Sequence, residues 1–372
     1  MCPPMKVMDV EHIMEQWAPR WIAWERDNVG LQIGDRMQPI KRILVSLDVT
    51  PGVVAEAVRR KAQMIVAHHP LLFRPPSSLT SSDAIGSMVL TLAKHDIAVY
   101  AAHTNLDSAE GGVNFALADA LGLGHVRFLA PLKDVYAKIV VFVPSSHATQ
   151  VMHAMANAGA GEIGDYSRCS FQINGLGTFQ GGEKTNPYSG RAGVLEEIEE
   201  IRLEMILPRV QASSVIRAMR TVHPYEEVAY DLYPLSNESP RYGMGAVGEL
   251  PGSVPLGSFL RSVKKALGSD QIRYTGNLRK TVRTVAVCGG SGTDLLKDAI
   301  RTGADVFLTA DIRYHAFHEA DGRIALVDAG HWETEQVVLP VIAARLQKSV
   351  GKDNKGVSVL ITNQRTNPIH CY

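Results

Sequence analysis

The chain has 372 residues, 45% of them hydrophobic, so it can bury more than one core. Its 38 basic and 38 acidic residues leave no net charge, which gives no electrostatic reason to expect nucleic acid or an anionic membrane as a partner. No apolar run approaches the ~20 residues that cross a bilayer, and the N-terminus has no signal-peptide pattern. The cysteines, Cys2, Cys169, Cys288 and Cys371, form no C-x-x-C pair, as is typical of the reducing cytoplasm.

Three tryptophans near the N-terminus follow a helical pattern. Trp17, Trp21 and Trp24 are separated by four and three residues. Residues with this spacing lie on one face of an α-helix. We therefore expect a single helix that packs a tryptophan-bearing face against the core.

Two predicted strands of the first half end in residues that commonly bind metals. Apolar patterns predict a strand, a helix and two further strands at residues 43–45, 54–62, 64–69 and 97–102. His68 and His69 close the third of these elements, and His103 and Asp107 follow the fourth. Parallel α/β sheets bind ligands outside the carboxyl ends of their strands, so we expect these side chains to converge.

Residues 131–240 have a different pattern and predict a separate domain. Strands are expected at 136–143, 198–206 and 227–233, a strand and turn at 167–173 and 177–180, and helices at 148–158 and 213–221. This βαββαβ order is ferredoxin-like. A polar loop with four glycines follows at 181–193, and we expect it to be mobile. The segment His223-Pro-Tyr-Glu-Glu227 could line a site, but a capped turn is the favoured interpretation.

The second half is a degenerate repeat of the first. A shift of 242 positions places 43–45 on 285–287 and 64–69 on 306–311, and a shift of 228 places 97–102 on 324–329. At the second shift His103 falls on His331 and Asp107 on Glu335, so each half carries a histidine with an acid four residues later. Shared α/β patterning could produce similar strands, but it does not predict the same chemistry after each last strand.

The repeat predicts the fold class and the domain organisation. We expect an α/β chain in which two pseudo-repeated halves, residues 1–130 and 241–372, form one metal-binding core. The ferredoxin-like α+β domain at residues 131–240 is then an insertion between the halves.

The residues at the strand ends predict a metal site without cysteine. His331 and Glu335 would share one face of a helix. Imidazole and carboxylate ligands suit Zn²⁺, Mn²⁺, Fe²⁺ or Co²⁺, and their spacing does not distinguish these ions. Five or more candidate ligands favour two ions ~3.5–4 Å apart over one. One Asp and one Glu offset only part of the charge of two divalent ions, which favours an anionic substrate.

Each of these features also has a purely structural explanation. A lone buried histidine is more often a hydrogen-bonded core residue, and neighbours such as His68 and His69 point to opposite faces of a strand. The pair His331 and Glu335 could be an ordinary helix start. Gly289-Gly-Ser-Gly292 could hold an anion, but a tight strand-to-helix turn explains it at least as well. Metal binding is favoured because the residues occur jointly, at matching strand ends of a repeat.

Six motifs resemble the family known as GTP cyclohydrolase 1 type 2 homologues, also called the NIF-three-like dinuclear metal-centre family. They are Asp27-Asn-Val-Gly-Leu-Gln-Ile-Gly34, Ser46-Leu-Asp-Val-Thr50, His68-His-Pro-Leu-Leu-Phe73, Ala101-Ala-His-Thr-Asn-Leu-Asp107, Leu308-Thr-Ala-Asp311 and Asp328-Ala-Gly-His331. The resemblance covers about residues 27–335. The domain at 131–240 resembles the PII/CutA-like insertion of the longer bacterial members.

The resemblance implies a two-metal site and its ligands. Carried over by position, these are His68, His69, Asp107, His331 and Glu335, with Glu335 bridging. His103 belongs to a motif but not to the usual ligand set. Because it corresponds to His331 in the repeat, we expect it to contact a metal ligand or to face the substrate. Asp311 follows Thr-Ala where many members have Thr-Gly, which leaves its role open. The family also implies hexamers built from two trimers, with metal sites facing an interior.

Two classes of function fit these expectations. The first is a hydrolase with two divalent ions (Zn, Mn or Fe) that acts on a nucleotide, a pterin or a phosphorylated small molecule, with His103 as the acid or base. The second is a non-catalytic protein that handles metal or senses a ligand, with the PII-like insertion as receiver. A third alternative, a scaffold for a partner protein, predicts that mutation of the metal ligands leaves the function intact. The sequence predicts a cytoplasmic homo-oligomer without nucleic-acid or membrane partners.

Overall fold

The computed structural model describes residues 4–269, 271–350 and 356–370, so Cys2 and Cys371 lie outside the described part. The chain divides into two compact units. The first, which we call the core unit, combines Met1–Pro131 with Arg241–Tyr372. The second, the inserted unit, is Leu132–Pro240.

The first half of the core unit alternates strands and helices. Its elements are α1 (Val7–Trp17), β1 (Gly30–Ile33), β2 (Arg42–Ser46), α2 (Pro51–Arg59), β3 (Met64–Ala67), α3 (Ala84–Lys94), β4 (Ala98–Ala101), α4 (Thr104–Asp107), α5 (Val113–Ala120) and β5 (Gly124–Pro131). Helix α2 begins at Pro51 because Pro suits the first helical position and the Thr50 hydroxyl accepts the Val53 N–H at 3.3 Å.

The inserted unit is an antiparallel sheet with two helices. Its elements are β6 (Tyr136–Pro144), α6 (Ala148–Asn157), β7 (Phe171–Gln180), β8 (Leu195–Pro208), α7 (Ala212–Val222) and β9 (Tyr230–Leu235). The strand order β7-β8-β6-β9, with antiparallel neighbours, is that of a ferredoxin-like fold. Alternate residues of β6 and β8 pack against α6 and α7 to form a core of their own.

The second half of the core unit repeats the alternation. Its elements are β10 (Gly243–Pro255), α8 (Leu256–Leu267), β11 (Arg273–Tyr274), β12 (Thr281–Val287), α9 (Leu296–Arg301), β13 (Val306–Thr309), α10 (Tyr314–Ala320), β14 (Ala325–Asp328), α11 (His331–Glu335), α12 (Leu339–Val350) and β15 (Ser358–Ile361). Among these described elements, no helix has both the length and the apolarity that crossing a membrane requires.

The two halves of the core unit exchange strands. Within the described residues, one sheet has the order β1-β4-β3-β2-β15, so the last strand of the chain completes the sheet of the first half. The other sheet has the order β11-β14-β13-β12-β10-β5, so β5 of the first half lies at its edge. Strands β2, β3 and β4 are parallel to one another, as are β12, β13 and β14. The exchange makes one folded unit of both halves.

The candidate residues lie where the parallel strands end. Strands β3, β4, β13 and β14 are buried along their whole length, as apolar runs covered on both faces should be. His68, His103, Asp311 and His331 each follow one of them within three residues. The α/β class predicted from the sequence is therefore confirmed, with the polar residues at the carboxyl edges of both sheets.

The prediction of one tryptophan-bearing helix was wrong. Helix α1 ends at Trp17, because Pro19 cannot continue it. Trp21 lies in the short 3-10 helix Arg20–Ile22. Its ring packs edge-on against the Tyr242 ring, with 5.2 Å between the ring centroids. Trp24 is 57% exposed.

Removing the inserted unit should leave a folded core unit, because the cut ends are already neighbours. Pro131 of β5 pairs with Gly243 of β10, and such antiparallel partners lie about 4.5–5.5 Å apart. A chain lacking residues 133–240, closed with a short Gly/Ser turn, should unfold in one cooperative thermal transition and still bind metal. Insoluble protein from several different junctions would show that the core needs the inserted unit.

Candidate metal centre

Six titratable side chains from both halves of the core unit meet at one place. They are His68, His69, His103, Asp107, His331 and Glu335. The His69 ring lies 4.9 Å from the His68 ring, 5.4 Å from the His103 ring and 5.5 Å from the His331 ring, measured between centroids. The structure therefore gathers all the residues that the sequence singled out by position, although the chain separates the two halves by the whole inserted unit.

The Glu335 carboxylate lies at the centre of this group. Its Oε2 is 3.0 Å from His69 Nε2, and its Oε1 is 3.2 Å from His331 Nε2 and 3.8 Å from His68 Nε2. The side chain is only 4% exposed. Potential ligand atoms of His69, His331 and Glu335 all lie within 4.8 Å of one another, a spacing that could hold a metal ion. The two oxygens of Glu335 therefore face different histidines.

Three buried polar atoms of the group have no hydrogen-bond partner: His68 Nε2, Asp107 Oδ1 and Glu335 Oε2. The His68 ring donates its Nδ1–H to the Ala102 carbonyl at 2.8 Å, which leaves Nε2 with a lone pair. This Nε2 lies 3.6 Å from Asp107 Oδ1, and both atoms are buried and unpartnered. Two acceptors that face each other in a protein interior cost free energy unless a proton or a cation lies between them. The donor set fits a divalent transition-metal ion.

All four histidines use Nδ1 for a hydrogen bond and direct Nε2 elsewhere. Besides the His68 bond, the pairs are His69 with Asp48 at 2.7 Å, His103 with Asp27 at 2.9 Å and His331 with Asp311 at 2.6 Å. Metal-binding histidines typically donate their second ring N–H to a carboxylate or carbonyl, which sets the ring orientation and raises its basicity. His103 is held in the same way as the proposed ligands, and its ligand atoms could also group with those of His68 and His69.

The sequence did not reveal what holds these rings. Asp27 and Asp48 lie inside two of the family motifs, but nothing in their spacing assigned them to His103 and His69. Asp311, whose role was open, adopts a left-handed conformation with φ 54° and accepts the His331 Nδ1–H. The Thr366 hydroxyl donates to Asp48 from the C-terminal segment and had no sequence signal at all.

The glycine loop after β12 is a packed turn rather than an open anion cradle. The N–H groups of Gly289, Gly290 and Gly292 already donate to side-chain oxygens at 2.9–3.0 Å. Gly290 has φ 58°, and a Cβ there would lie 2.2 Å from Glu335 Oε1. The loop therefore needs glycine because the backbone passes directly against the central carboxylate.

Comparison with known proteins identifies the family. A family model described as Duf34/NIF3 (NGG1p interacting factor 3) matches residues 5–368 of the chain. The chain belongs to the Duf34/NIF3 family. The resemblance noted in the sequence is thereby confirmed over nearly the whole length.

Relatives of this Duf34/NIF3 protein share its full length. It is 44% identical over 363 residues to the GTP cyclohydrolase 1 type 2 homolog of Halalkalibacterium halodurans, with 96% of this chain and 97% of that one covered. It is 39% identical over 370 residues to the protein of the same name from Bacillus subtilis, with 99% of each covered. A solved Bacillus cereus protein related to NIF3 is 40% identical, with a TM-score of 0.84 over 100% of both chains.

The acids of the centre ionise at different pH values. Burial raises the pKa of Asp107 to about 7, helped by the nearby Glu335 and opposed by His68. Burial opposes ionisation of Glu335 too, but its contacts with His331, His68 and His69 outweigh that effect and hold its pKa well below the usual value. The Glu335 carboxylate of this centre therefore stays ionised at neutral pH.

The histidines that face Glu335 hold protons at neutral pH. Burial disfavours the charged His69 ring, but Asp48 and Glu335 outweigh it and raise its pKa to about 10. The contact with Glu335 raises the pKa of His331 to about 9 against the effect of burial, with help from Asp311. A metal ligand must be a neutral imidazole, so a cation that binds here has to displace these protons.

Metal binding should therefore release protons. At pH 7 both His69 and His331 are protonated and Asp107 is about half protonated, so loading Mn²⁺ should release roughly two to three protons. The affinity should rise as the pH is raised from 6 towards 9, because binding displaces the protons that His331 and His69 keep up to a pH of about 9 and 10. Titration calorimetry in two buffers of different ionisation enthalpy measures the number released. Equal binding enthalpies in both buffers would contradict this assignment.

A methyl group at Gly290 should disturb the centre. Gly290→Ala should weaken metal binding by roughly 10–100-fold, as expected when a group behind a ligand is altered. Gly303→Ala is the matched control, since Gly303 also has a positive φ of 73° but a Cβ there meets nothing within 4 Å. The control should lose about 1–2 kcal/mol of stability and keep its metal. The two measurements are metal content by mass spectrometry and thermal unfolding; equal metal loss in both variants would mean that backbone strain alone matters.

Proposed function

We propose that this protein is a hydrolase that works with two divalent metal ions. Five side chains would hold them: His68, His69, Asp107, His331 and Glu335. The observation that carries this proposal is the pair of unpartnered buried atoms, His68 Nε2 and Asp107 Oδ1, beside a carboxylate whose other contacts are two further histidines. Two cations, both bound to Glu335, would give each of these atoms a partner.

The charge of this ligand set favours an anionic substrate. Three neutral imidazoles and two carboxylates compensate only half of the charge of two divalent ions. When bound, such ions supply a water nucleophile at neutral pH and polarise the bond that is cleaved. A nucleotide, a pterin or another phosphorylated small molecule carries the negative charge that would complete the balance. The names of the relatives, GTP cyclohydrolase 1 type 2 homolog, agree with this class.

His103 is our candidate for the catalytic acid or base. Its Nδ1–H donates to Asp27 at 2.9 Å, and hydrogen bonds from His103 and Thr104 overcome the effect of burial and lower the pKa of Asp27 to about 2. An ionised Asp27 keeps the His103 Nε2 lone pair available and stabilises the ring once it accepts a proton. The half-exposed Phe73 ring lies 6.4 Å from the His103 ring, so this part of the site borders solvent, from which a substrate arrives.

Metal content should separate the ligands from the catalytic residue. Glu335→Gln should lose most of its metal, because the central charge disappears. His103→Ala should keep its metal yet lose ~10²–10⁴-fold in rate, the usual contribution of a positioned acid or base. His95→Ala, on an exposed helix end, is the control. Metal is measured by mass spectrometry, and rate with Mn²⁺ or Zn²⁺ on nucleotides, cyclic nucleotides, pterins and phosphate esters.

Two outcomes would change the assignment. Metal loss in His103→Ala as large as in Glu335→Gln would make His103 a ligand, which its distance to His68 and His69 allows. Tight binding of a metabolite without metal-dependent turnover would favour the alternative function, a non-catalytic metal-handling or ligand-sensing protein. One observation favours that alternative: the inserted unit contains a cavity of its own.

We also propose that the protein assembles as a hexamer of two trimers, as the family resemblance implies. The sheet of the inserted unit supports self-association, because Phe171, Leu176 and Leu195 of β7 and β8 are each more than 60% exposed. Exposed apolar side chains of this size can form part of a protein–protein interface. The sedimentation coefficient of the purified protein measures the assembly, and a monomer would contradict the proposal.

A further inference from the structure

The inserted unit has a cavity of about 280 Å³ that the metal centre does not use. Strands β7 and β8 form its floor, and the polar loop between them and the loop before β9 form its walls. This volume is at the lower end of the range for small-molecule sites. The cavity therefore suits a ligand smaller than a nucleotide.

Three carboxylates line this cavity. They belong to Glu200, Glu226 and Glu227, and among the described residues that line the cavity there is no lysine or arginine. Glu226 Oε1 accepts the Asn186 N–H at 3.1 Å, which ties the loop after β7 to the loop before β9. The lining is therefore anionic, and an anionic ligand such as a phosphate would be repelled.

The Glu200 carboxylate is held in a fixed position. The Tyr225 hydroxyl donates to its Oε1 at 2.8 Å, and its Oε2 lies over Gly177 of the neighbouring strand. A Cβ on Gly177 would come within 2.3 Å of Oε2, so only glycine at this position leaves room for the carboxylate. One oxygen of Glu200 is thus used for orientation, and the other is left for a ligand.

Aromatic rings complete the lining. The rings of Tyr188 and Tyr225 lie 5.9 Å apart between centroids and are inclined by 44°, and Phe179 also lines the cavity. Tyr188 is 52% exposed, so its ring is accessible from solvent. Electron-rich ring faces beside carboxylates attract a cation and also contact the apolar part that carries it.

The segment His223-Pro-Tyr-Glu-Glu227 serves as a turn and as a cavity wall. His223 accepts the Tyr225 backbone N–H on Nδ1 at 3.2 Å and donates its Nε2–H to the Phe142 carbonyl at 3.0 Å. Burial lowers the pKa of His223, although the bond to the Phe142 carbonyl opposes this effect, and the two hydrogen bonds fix the turn. Tyr225, Glu226 and Glu227 then follow on the cavity side. The capped turn favoured from the sequence is present, but the segment also lines a site.

We propose that this cavity binds a small organic cation, an ammonium or guanidinium group attached to an apolar portion. Glu200 Oε2 would accept the N–H donors, Tyr188 and Tyr225 would face the positive charge, and Phe179 would pack against the apolar portion. A free amine and the side chain of a lysine or arginine offer the same chemistry. The inserted unit would then respond to a ligand chemically opposite to the anionic substrate of the metal centre.

Binding of benzylamine to the full-length protein tests the proposal. Titration calorimetry should show saturable binding of benzylamine and much weaker binding of benzyl alcohol, its neutral counterpart. A peptide with one lysine between acetyl and amide ends forms the second arm, since it distinguishes a side chain from a free amine. Binding of either cation supports the proposal, and the tighter one names the source.

Matched variants place the binding in this cavity. Glu200→Gln should weaken benzylamine binding by about tenfold or more, the effect of losing one charge-assisted contact. Glu199→Gln is the control, because Glu199 is the next residue on β8, is exposed and does not line the cavity. Tyr225→Phe should weaken binding less than Tyr225→Ala, since the ring remains. All variants should keep the wild-type thermal transition.

Four results would overturn the proposal. The first three are benzyl alcohol binding as tightly as benzylamine, equal affinities of Glu200→Gln and Glu199→Gln for benzylamine, and no binding of either cation at millimolar concentration. The fourth is Mn²⁺ binding that is lost in Glu200→Gln and with which the amines do not compete. The last result would make the cavity a metal site. Each result concerns the inserted unit alone, so none depends on the hydrolase assignment.

Discussion

One buried carboxylate connects the two halves of the core unit. Glu335 comes from the second half, and its shortest contact with a histidine is to the first half, where His69 Nε2 lies 3.0 Å from Glu335 Oε2. A charge that is 4% exposed is costly unless positive or donor groups surround it. The repeat places histidines at the carboxyl ends of both sheets, so His331 of the same half compensates part of the charge and the histidines of the first half compensate the rest once the sheets meet. The complete site therefore requires both halves of the core unit.

A layer of acids behind the histidines adds negative charge that bound cations or protons would compensate. Asp27, Asp48 and Asp311 each accept an Nδ1–H, and the pKa values of Asp27 and Asp48 lie below their usual values although both are partly buried. Ionised acids behind the rings make each Nε2 more basic. Protons on His69 and His331 balance this charge, so a metal ion would compete with these protons and its binding would release them.

The candidate metal centre and the cavity of the inserted unit differ in their chemistry. The metal centre would present positive charge once its ions are bound, and the cavity of the inserted unit presents carboxylates and aromatic rings. Each unit has its own apolar core, so either site can exist without the other. This independence would allow the inserted unit to bind a small organic cation without any change at the metal centre.

The sequence alone determined the strand–helix alternation, the repeat and the positions of His68, His69, Asp107, His331 and Glu335, because local hydrophobic patterns place polar residues at strand ends. It could not determine the strand exchange, since the pairing partners of β5 and β15 lie far along the chain. It also left Asp27, Asp48 and Thr366 without roles, because an acid that orients a histidine has no fixed spacing from it. The family resemblance implied that Glu335 is the bridging ligand, but only the tertiary structure shows how closely the histidines of both halves surround it, since those distances depend on how two sheet edges meet and not on any local pattern.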